Sequence, residues 1–183
     1  MKRALVVGGT GMLAGCVAEL VRDGWQVVVP SRRYAPIPAD LPEYADDRQA
    51  LWVEADWAAP EDFAQRAEKA LGGKAELLVA WVHDAYRAEV LAAITPLLTS
   101  DAAVVEVRGS SAAQPLGAAA EPSLPEHVTQ LVVLGFVRDG ESTRWLTHRE
   151  TSEGVLDAVH RALAARPPAV HQIGELSQYA IRI

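Results

Sequence analysis

Ala4-Leu5-Val6-Val7-Gly8-Gly9-Thr10-Gly11-Met12-Leu13-Ala14-Gly15 decides the fold, because four apolar residues run directly into glycines and then into an amphipathic pattern. Leu13, Val17, Leu20 and Val21 fall at i, i+4, i+7 and i+8, which is one stripe of a helix, and Gly24 stands where a helix C′ residue belongs. A buried strand, a glycine turn and a helix in immediate succession form a phosphate-binding arrangement. The helix N-terminus offers unpaired N–H groups, and missing side chains let an anion approach them. In that reading Gly8 makes the tight turn, Gly11 admits the phosphates, and the small Ala14 lets helix and strand pack closely. The competing reading is a glycine-rich turn with no ligand.

The rest of the chain repeats the alternation. Apolar runs at Gln26–Val29, Leu51–Glu54, Glu76–Val82, Ala103–Val107 and Gln130–Val137 read as further strands after Ala4–Val7. Between them lie helical patterns. Pro60 opens one carrying Phe63, Ala67, Ala70 and Leu71 and stopped by Gly72-Gly73. Asp84 is placed to cap another with Val90, Leu91, Ile94 and Leu98, which Pro96 should kink or end. Thr147 with Glu150 is a capping box before the stripe Val155, Leu156, Val159 and Leu163, which Arg166-Pro167-Pro168 ends. Strands alternating with helices predict a parallel sheet covered on both faces. The expectation is an α/β, doubly wound, mainly parallel Rossmann-like sheet in the order 3-2-1-4-5-6, with residues 1–183 as one NAD(P)-binding domain. Asp139-Gly140 predicts a tight turn sending Thr143 to Leu146 back across the sheet's upper edge. Ala169–Gly174 is a candidate edge strand, and the tail Leu176 to Ile183 alternates.

Composition bounds the function. The chain has 183 residues, 50% hydrophobic, with one cysteine, Cys16, which excludes an internal disulfide and a cysteine-based zinc cluster. A chain this long buries roughly 70% of its unfolded surface, so it needs no such staple. Seventeen Lys and Arg against 24 Asp and Glu leave a net charge of −7, the wrong sign for a nucleic-acid or anionic-membrane partner. The longest apolar run, Leu77 to Val82, falls far short of the ~20 residues of a membrane span. With no leader-like N-terminus, the sequence reads as cytoplasmic. His127, His148, His160 and His171 lack ligand spacing, so no metal site is expected.

Past the second strand, Val29-Pro30-Ser31-Arg32-Arg33 carries two guanidinium groups and no acidic residue up to Tyr34. Guanidinium forks hold a 2′-phosphate, whereas a ribose 2′-hydroxyl wants a carboxylate here, so the pair favours NADP over NAD. Two solvated arginines on a loop are the plainer alternative.

In these residues the chain resembles the short-chain dehydrogenase/reductase superfamily, specifically its extended and atypical branches. Their loop reads Gly-x-x-Gly-x-x-Gly/Ala, matched by Gly8, Gly11 and Ala14. The resemblance implies a basic residue after the second strand in NADP-dependent members, matched by Arg32 and Arg33. It also implies an adenine-contacting Asp after the third strand, matched by Asp56, although an Asp before Trp57 and Pro60 can equally open a helix. The cofactor-contacting set is then Gly8, Thr10, Gly11, Met12 and Leu13 in the loop, with Arg32 and Arg33. Asp56, Trp57, Trp81 and Val82 follow at the ends of the third and fourth strands.

The departures lie in the chemistry. The superfamily's Tyr, followed four positions later by a Lys that lowers its pKa, is missing: none of Tyr34, Tyr44, Tyr86 and Tyr179 has a Lys at that spacing. Only residues 108–128 join the fifth and sixth strands, too few for the long helix that bears that pair. The family's Asn-Asn-Ala-Gly stretch is replaced by Ala80-Trp81-Val82-His83. His83 and Tyr86 after strand four, with Arg108, Ser110 and Ser111 after strand five, remain as candidates. His83, Ser110 and Tyr86 form the catalytic set, against the plainer reading that His83 caps locally. The expected activity is reduction of a small carbonyl-type substrate with NADPH. A non-catalytic NADP sensor, like the nitrogen-metabolite-repression relatives, is the alternative, and its partner would be a small-molecule effector. The apolar tail is compatible with a homodimer.

Overall fold

In the computed structural model, residues 1–34, 50–109 and 121–176 are described. Seven strands form one sheet: β1 (Arg3–Val7), β2 (Gln26–Ser31), β3 (Ala50–Glu54), β4 (Ala75–Trp81), β5 (Leu98–Gly109), β6 (Thr129–Leu134) and β9 (Ala169–Ile173). Their order is β3-β2-β1-β4-β5-β6-β9, and every neighbouring pair is parallel. This is the expected Rossmann-like sheet, with β9 added beside β6. Helices α1 (Ala14–Arg22) and α4 (His148–Leu163) cover one face, and α2 (Pro60–Leu71) and α3 (Asp84–Ile94) the other.

The strand sequences explain the two layers. Ala4 and Val6 of β1 pack with Leu13, Val17 and Val155, while Leu5 and Val7 pack with Phe63, Ala67 and Val90. A parallel strand is apolar on both sides for this reason, so it reads as a continuous run. All strand C-termini then lie along one edge, where a doubly wound fold places its ligand.

Several expectations need correction. The sixth strand was expected to reach Val137, but β6 ends at Leu134. At Gly135 the backbone lies against Glu175, leaving no room for a Cβ, and the chain turns out of the sheet. Phe136–Asp139 (β7) and Ser142–Trp145 (β8) instead form an antiparallel hairpin, with Gly140 at φ +63° in the two-residue turn. Leu98 belongs to β5, not to the third helix, because Pro96 ends that helix in a 3-10 turn over Thr95–Leu97. Asp84 is not the cap of α3. His83 holds the extended backbone of an N-cap (φ −59°, ψ 141°), and its Nδ1 accepts from the Ala85 N–H at 3.3 Å. Asp84 instead pairs with Arg87 one turn on. The tail from residue 177 lies outside the described residues.

Two buried polar residues are satisfied by networks the periodicity does not reveal. Glu106 on β5, 2% exposed, accepts from Arg108 Nε at 2.8 Å, from the Ser123 N–H at 2.8 Å and from the Ser123 hydroxyl at 2.7 Å. Gln130, fully buried on β6, donates through Nε2 to the carbonyls of Arg166 and Pro167 at 3.2 and 2.9 Å. Its Oε1 is therefore the acceptor facing His171 Nε2 at 2.8 Å, so that ring nitrogen carries a proton. Burial pushes the His171 pKa down, which favours the neutral ring.

Cys16, on the core side of α1, is buried. Burial first, and the Glu19 carboxylate second, push its thiol up to about 12.

Helices α1 and α4 both end in a Schellman motif. After α1, Gly24 and Trp25 donate to the carbonyls of Val21 and Leu20; after α4, Ala165 and Arg166 donate to those of Ala162 and Arg161. The left-handed residue is Gly24 (φ +82°) in the first and Ala165 (φ +51°) in the second, where the Cβ costs energy. Ala165→Gly is expected to stabilise the protein by about 1 kcal/mol, read as a higher urea midpoint at unchanged slope.

Candidate functional site

A cavity of about 600 Å³ opens at the C-terminal ends of the first strands. Its walls are the loop after β1 (Gly8, Thr10, Gly11, Met12), the end of β2 (Pro30 to Arg33), Ala55 and Trp57 after β3, Trp81 of β4, and His148 at the start of α4. The loop geometry follows from its glycines. Gly8 turns the chain at φ +88°, and a Cβ there would come within 3.0 Å of the Trp81 carbonyl. Gly9 is buried, and a Cβ on it would stand 2.9 Å from both Val17 and Val29 and 3.1 Å from Val6. The tightest packing between loop, helix and sheet therefore falls at Gly9. At Gly11 a Cβ would meet nothing within 4 Å, so that backbone faces open space.

The electrostatics of the cavity are one-sided. Arg32 and Arg33 line it, no carboxylate does, and neither guanidinium has a hydrogen-bond or ion-pair partner among the described residues. The turn that presents them is braced: Thr10 and Ser31 hydroxyls lie 3.1 Å apart, and Ser31 Oγ bonds the Arg33 backbone at 3.1 and 3.2 Å. Trp52 Nε1 donates to the Arg33 carbonyl at 3.1 Å.

Helix α1 adds a further positive element. Leu13 at its N-cap position provides no side-chain cap, and its first turn has no acidic residue. The other described α-helices have one or the other: α2 carries Glu61 and Asp62, α3 is capped by His83, and α4 has a complete capping box. Four N–H groups begin every helix without intrahelical partners; at α1 the Ala14 N–H donates back to the Gly11 carbonyl at 3.1 Å, and no side chain caps the others.

Of the expected cofactor residues, Gly8, Thr10, Gly11, Met12, Arg32, Arg33, Trp57 and Trp81 are brought together around the cavity. Leu13 and Val82 are buried core residues and do not line it. Asp56 is exposed, accepts from the Ala58 N–H at 3.0 Å, and lines a neighbouring cavity of about 410 Å³ with Arg32, Glu54, Asp62 and Arg66. Its carboxylate thus shapes the turn into α2.

The catalytic candidates are not assembled on this wall. Trp57 stacks obliquely on Trp81, ring centres 5.7 Å apart, and on Tyr86 at 6.3 Å, with His83 6.5 Å beyond Tyr86. His83 and Tyr86 do not line the cavity. Arg108 serves Glu106, Ser123 and the Glu121 carbonyl, the last at 2.7 Å. Ser110 and Ser111 lie outside the described residues. His148, by contrast, lines the cavity although its sequence spacing carries no signal.

No protein-family model and no curated protein matches the chain. Solved structures do. An NADH-dependent reductase complexed with NAD superposes with a TM-score of 0.63 at 17% identity, covering 94% of both chains. A wide-type short-chain dehydrogenase/reductase from Veillonella parvula in complex with NADP gives 0.59 at 12% identity, covering 95% of this chain and 94% of that one. A short-chain oxidoreductase from Pseudomonas aeruginosa, described as containing an atypical catalytic centre, gives 0.61 at 16%, covering 94% and 95%. The fold is thus of the Rossmann class. Within that class, it is the fold of the short-chain dehydrogenases/reductases.

Two measurements test this geometry without any ligand. Gly9→Ala should cost about 1–3 kcal/mol by overpacking, while Gly11→Ala should change stability by less than about 0.5 kcal/mol, both read by urea unfolding. The second concerns Glu150, held down from its ordinary 4.5 to about 2 by the Arg144 guanidinium first and the Thr147 backbone N–H next. Its folded pKa is depressed, so the stability it contributes is complete above about 4.5 and fades as pH falls towards about 2. The melting-temperature gap between wild type and Glu150→Gln should therefore narrow across that window.

Proposed function

We propose that the chain binds NADP(H) in this cavity and, with it, reduces a small carbonyl-type substrate. The observation that carries the reading is the pair of guanidinium groups that, among the described residues, have no partner and share a cavity wall with no carboxylate, beside an uncapped helix N-terminus. The residues present suit a dinucleotide: Gly11 leaves space for phosphates, and Arg32 and Arg33 suit a 2′-phosphate more than a ribose hydroxyl. When bound, the nicotinamide ring supplies the hydride. Arg32 and Arg33 hold the 2′-phosphate, the loop from Gly8 to Met12 seats the diphosphate, and Trp57 and Trp81 wall off water and fix the ring plane of a neighbour.

A second reading, an NADP-binding sensor without turnover, draws on the cavity's side chains. No Tyr-Lys pair exists in the sequence, and His83 and Tyr86 stand beyond the Trp57–Trp81 wall. One structural neighbour is described as having an atypical catalytic centre, so this fold accommodates other catalytic sets.

Titration with NADPH and NADH, followed by tryptophan fluorescence, tests the cofactor reading. Arg32→Ala/Arg33→Ala should weaken NADPH binding by about 10- to 100-fold and leave NADH nearly unchanged. Binding of neither nucleotide to the wild type would sink both readings. NADPH oxidation across a panel of small aldehydes and ketones separates them: turnover favours the reductase, and tight binding without turnover favours the sensor.

A further inference from the structure

His148 enters the cavity from a segment remote in sequence from the rest of its wall, and its placement is determined on both sides. On its N-terminal side, Thr147 caps α4: its hydroxyl accepts from the Glu150 N–H at 3.1 Å, and Glu150 accepts from the Thr147 N–H at 2.8 Å. Arg144 grips both oxygens of Glu150 at 2.9 Å, so the one carboxylate in that turn is already paired. On its C-terminal side, Ser152 donates to the Met12 carbonyl at 2.7 Å, joining α4 to the loop after β1. Ser152 follows His148 by four residues and so lies on the same helix face, above the buried Val155 and Val159. Gly15 permits the approach, since a Cβ there would stand 3.0 Å from both Ser152 Cβ and Oγ.

The chemistry of the position is specific. Besides Arg32 and Arg33, His148 is the one nitrogen-bearing basic side chain on the cavity wall among the described residues, and its ring has no hydrogen-bond partner among them. The arginines stand past β2, whereas His148 stands on the helix that Ser152 ties to the Met12 carbonyl. The two basic groups thus serve different parts of an anionic ligand.

We infer that His148 is a binding residue for the diphosphate of the nucleotide, donating a ring N–H from the start of α4. The inference rests on the dinucleotide reading above and adds a specificity consequence. The diphosphate is common to NADPH and NADH, so His148 contributes to both, while Arg32 and Arg33 contribute to NADPH alone.

The test titrates wild type, His148→Ala, His148→Gln and Arg32→Ala/Arg33→Ala with NADPH, NADH and inorganic pyrophosphate, following tryptophan fluorescence. His148→Ala should weaken all three ligands by a similar factor, about tenfold for a lost charge-assisted hydrogen bond. His148→Gln, which keeps an N–H donor, should recover part of that loss. Melting temperatures without ligand should match, since His148 is exposed. Unchanged affinity in His148→Ala, with wild type binding normally, overturns this inference and leaves the cofactor reading standing. A loss confined to NADPH overturns it too, because it would assign His148 to the 2′-phosphate. Wild type that binds neither nucleotide overturns both.

Discussion

The close approach of backbone at the end of β1 governs the rest of the molecule. Gly9 sits with Val6, Val17 and Val29 where its own side chain would be, and Gly8 turns against the Trp81 carbonyl. Because no side chain separates them, α1 starts directly after the glycine turn, and its first turn has neither a side-chain cap nor an acidic residue. A bulkier residue at Gly9 would lever α1 off β1 and β2 and open the α1–α4 layer above them. The packing of one face of the sheet and the form of the cavity therefore share one steric requirement.

The helix termini divide into those the protein satisfies itself and one it does not. At α4 the Thr147–Glu150 box and Arg144 spend side chains on the first turn. At α1 nothing comparable is present, and the glycines before it keep side chains away. The same economy holds within the sheet. Glu106 and Gln130 are each surrounded by donors or acceptors that use their polar atoms, since leaving one unpaired in the interior costs about 1–3 kcal/mol. On the cavity wall, Arg32, Arg33 and His148 have no protein partner among the described residues.

What was legible in the sequence was what short-range rules govern. The run Ala4–Val7 into glycine, the stripes of α1 and α2, and the Thr147–Glu150 box depend on neighbours within a few residues, whereas the strand order is legible only through the resemblance to a Rossmann sheet, since parallel crossovers allow other orders. The boundaries that failed were set by distant chain. Gly135 ends β6 because Glu175 lies against it, and nothing within Val132–Val137 signals that contact. Leu98 joins β5 by pairing with Ala75 across an irregularity in register. In the cavity, Arg32 and Arg33 were visible because they directly follow a strand. His148 was not, because the bond that brings its helix to the loop links Ser152 to a residue near the other end of the chain. His83 is a titratable group at a strand end, and the structure uses it as a helix cap.

The buried state of Cys16 has a practical side. Thiol reagents attack the thiolate, and a thiol pushed up to about 12 and shielded by the α1–β1 core offers almost none of it at neutral pH. The folded protein is therefore chemically silent to maleimides, and any cysteine introduced on its surface would be labelled alone. A spin label or fluorophore on the β7–β8 hairpin could report its movement without first removing the native thiol.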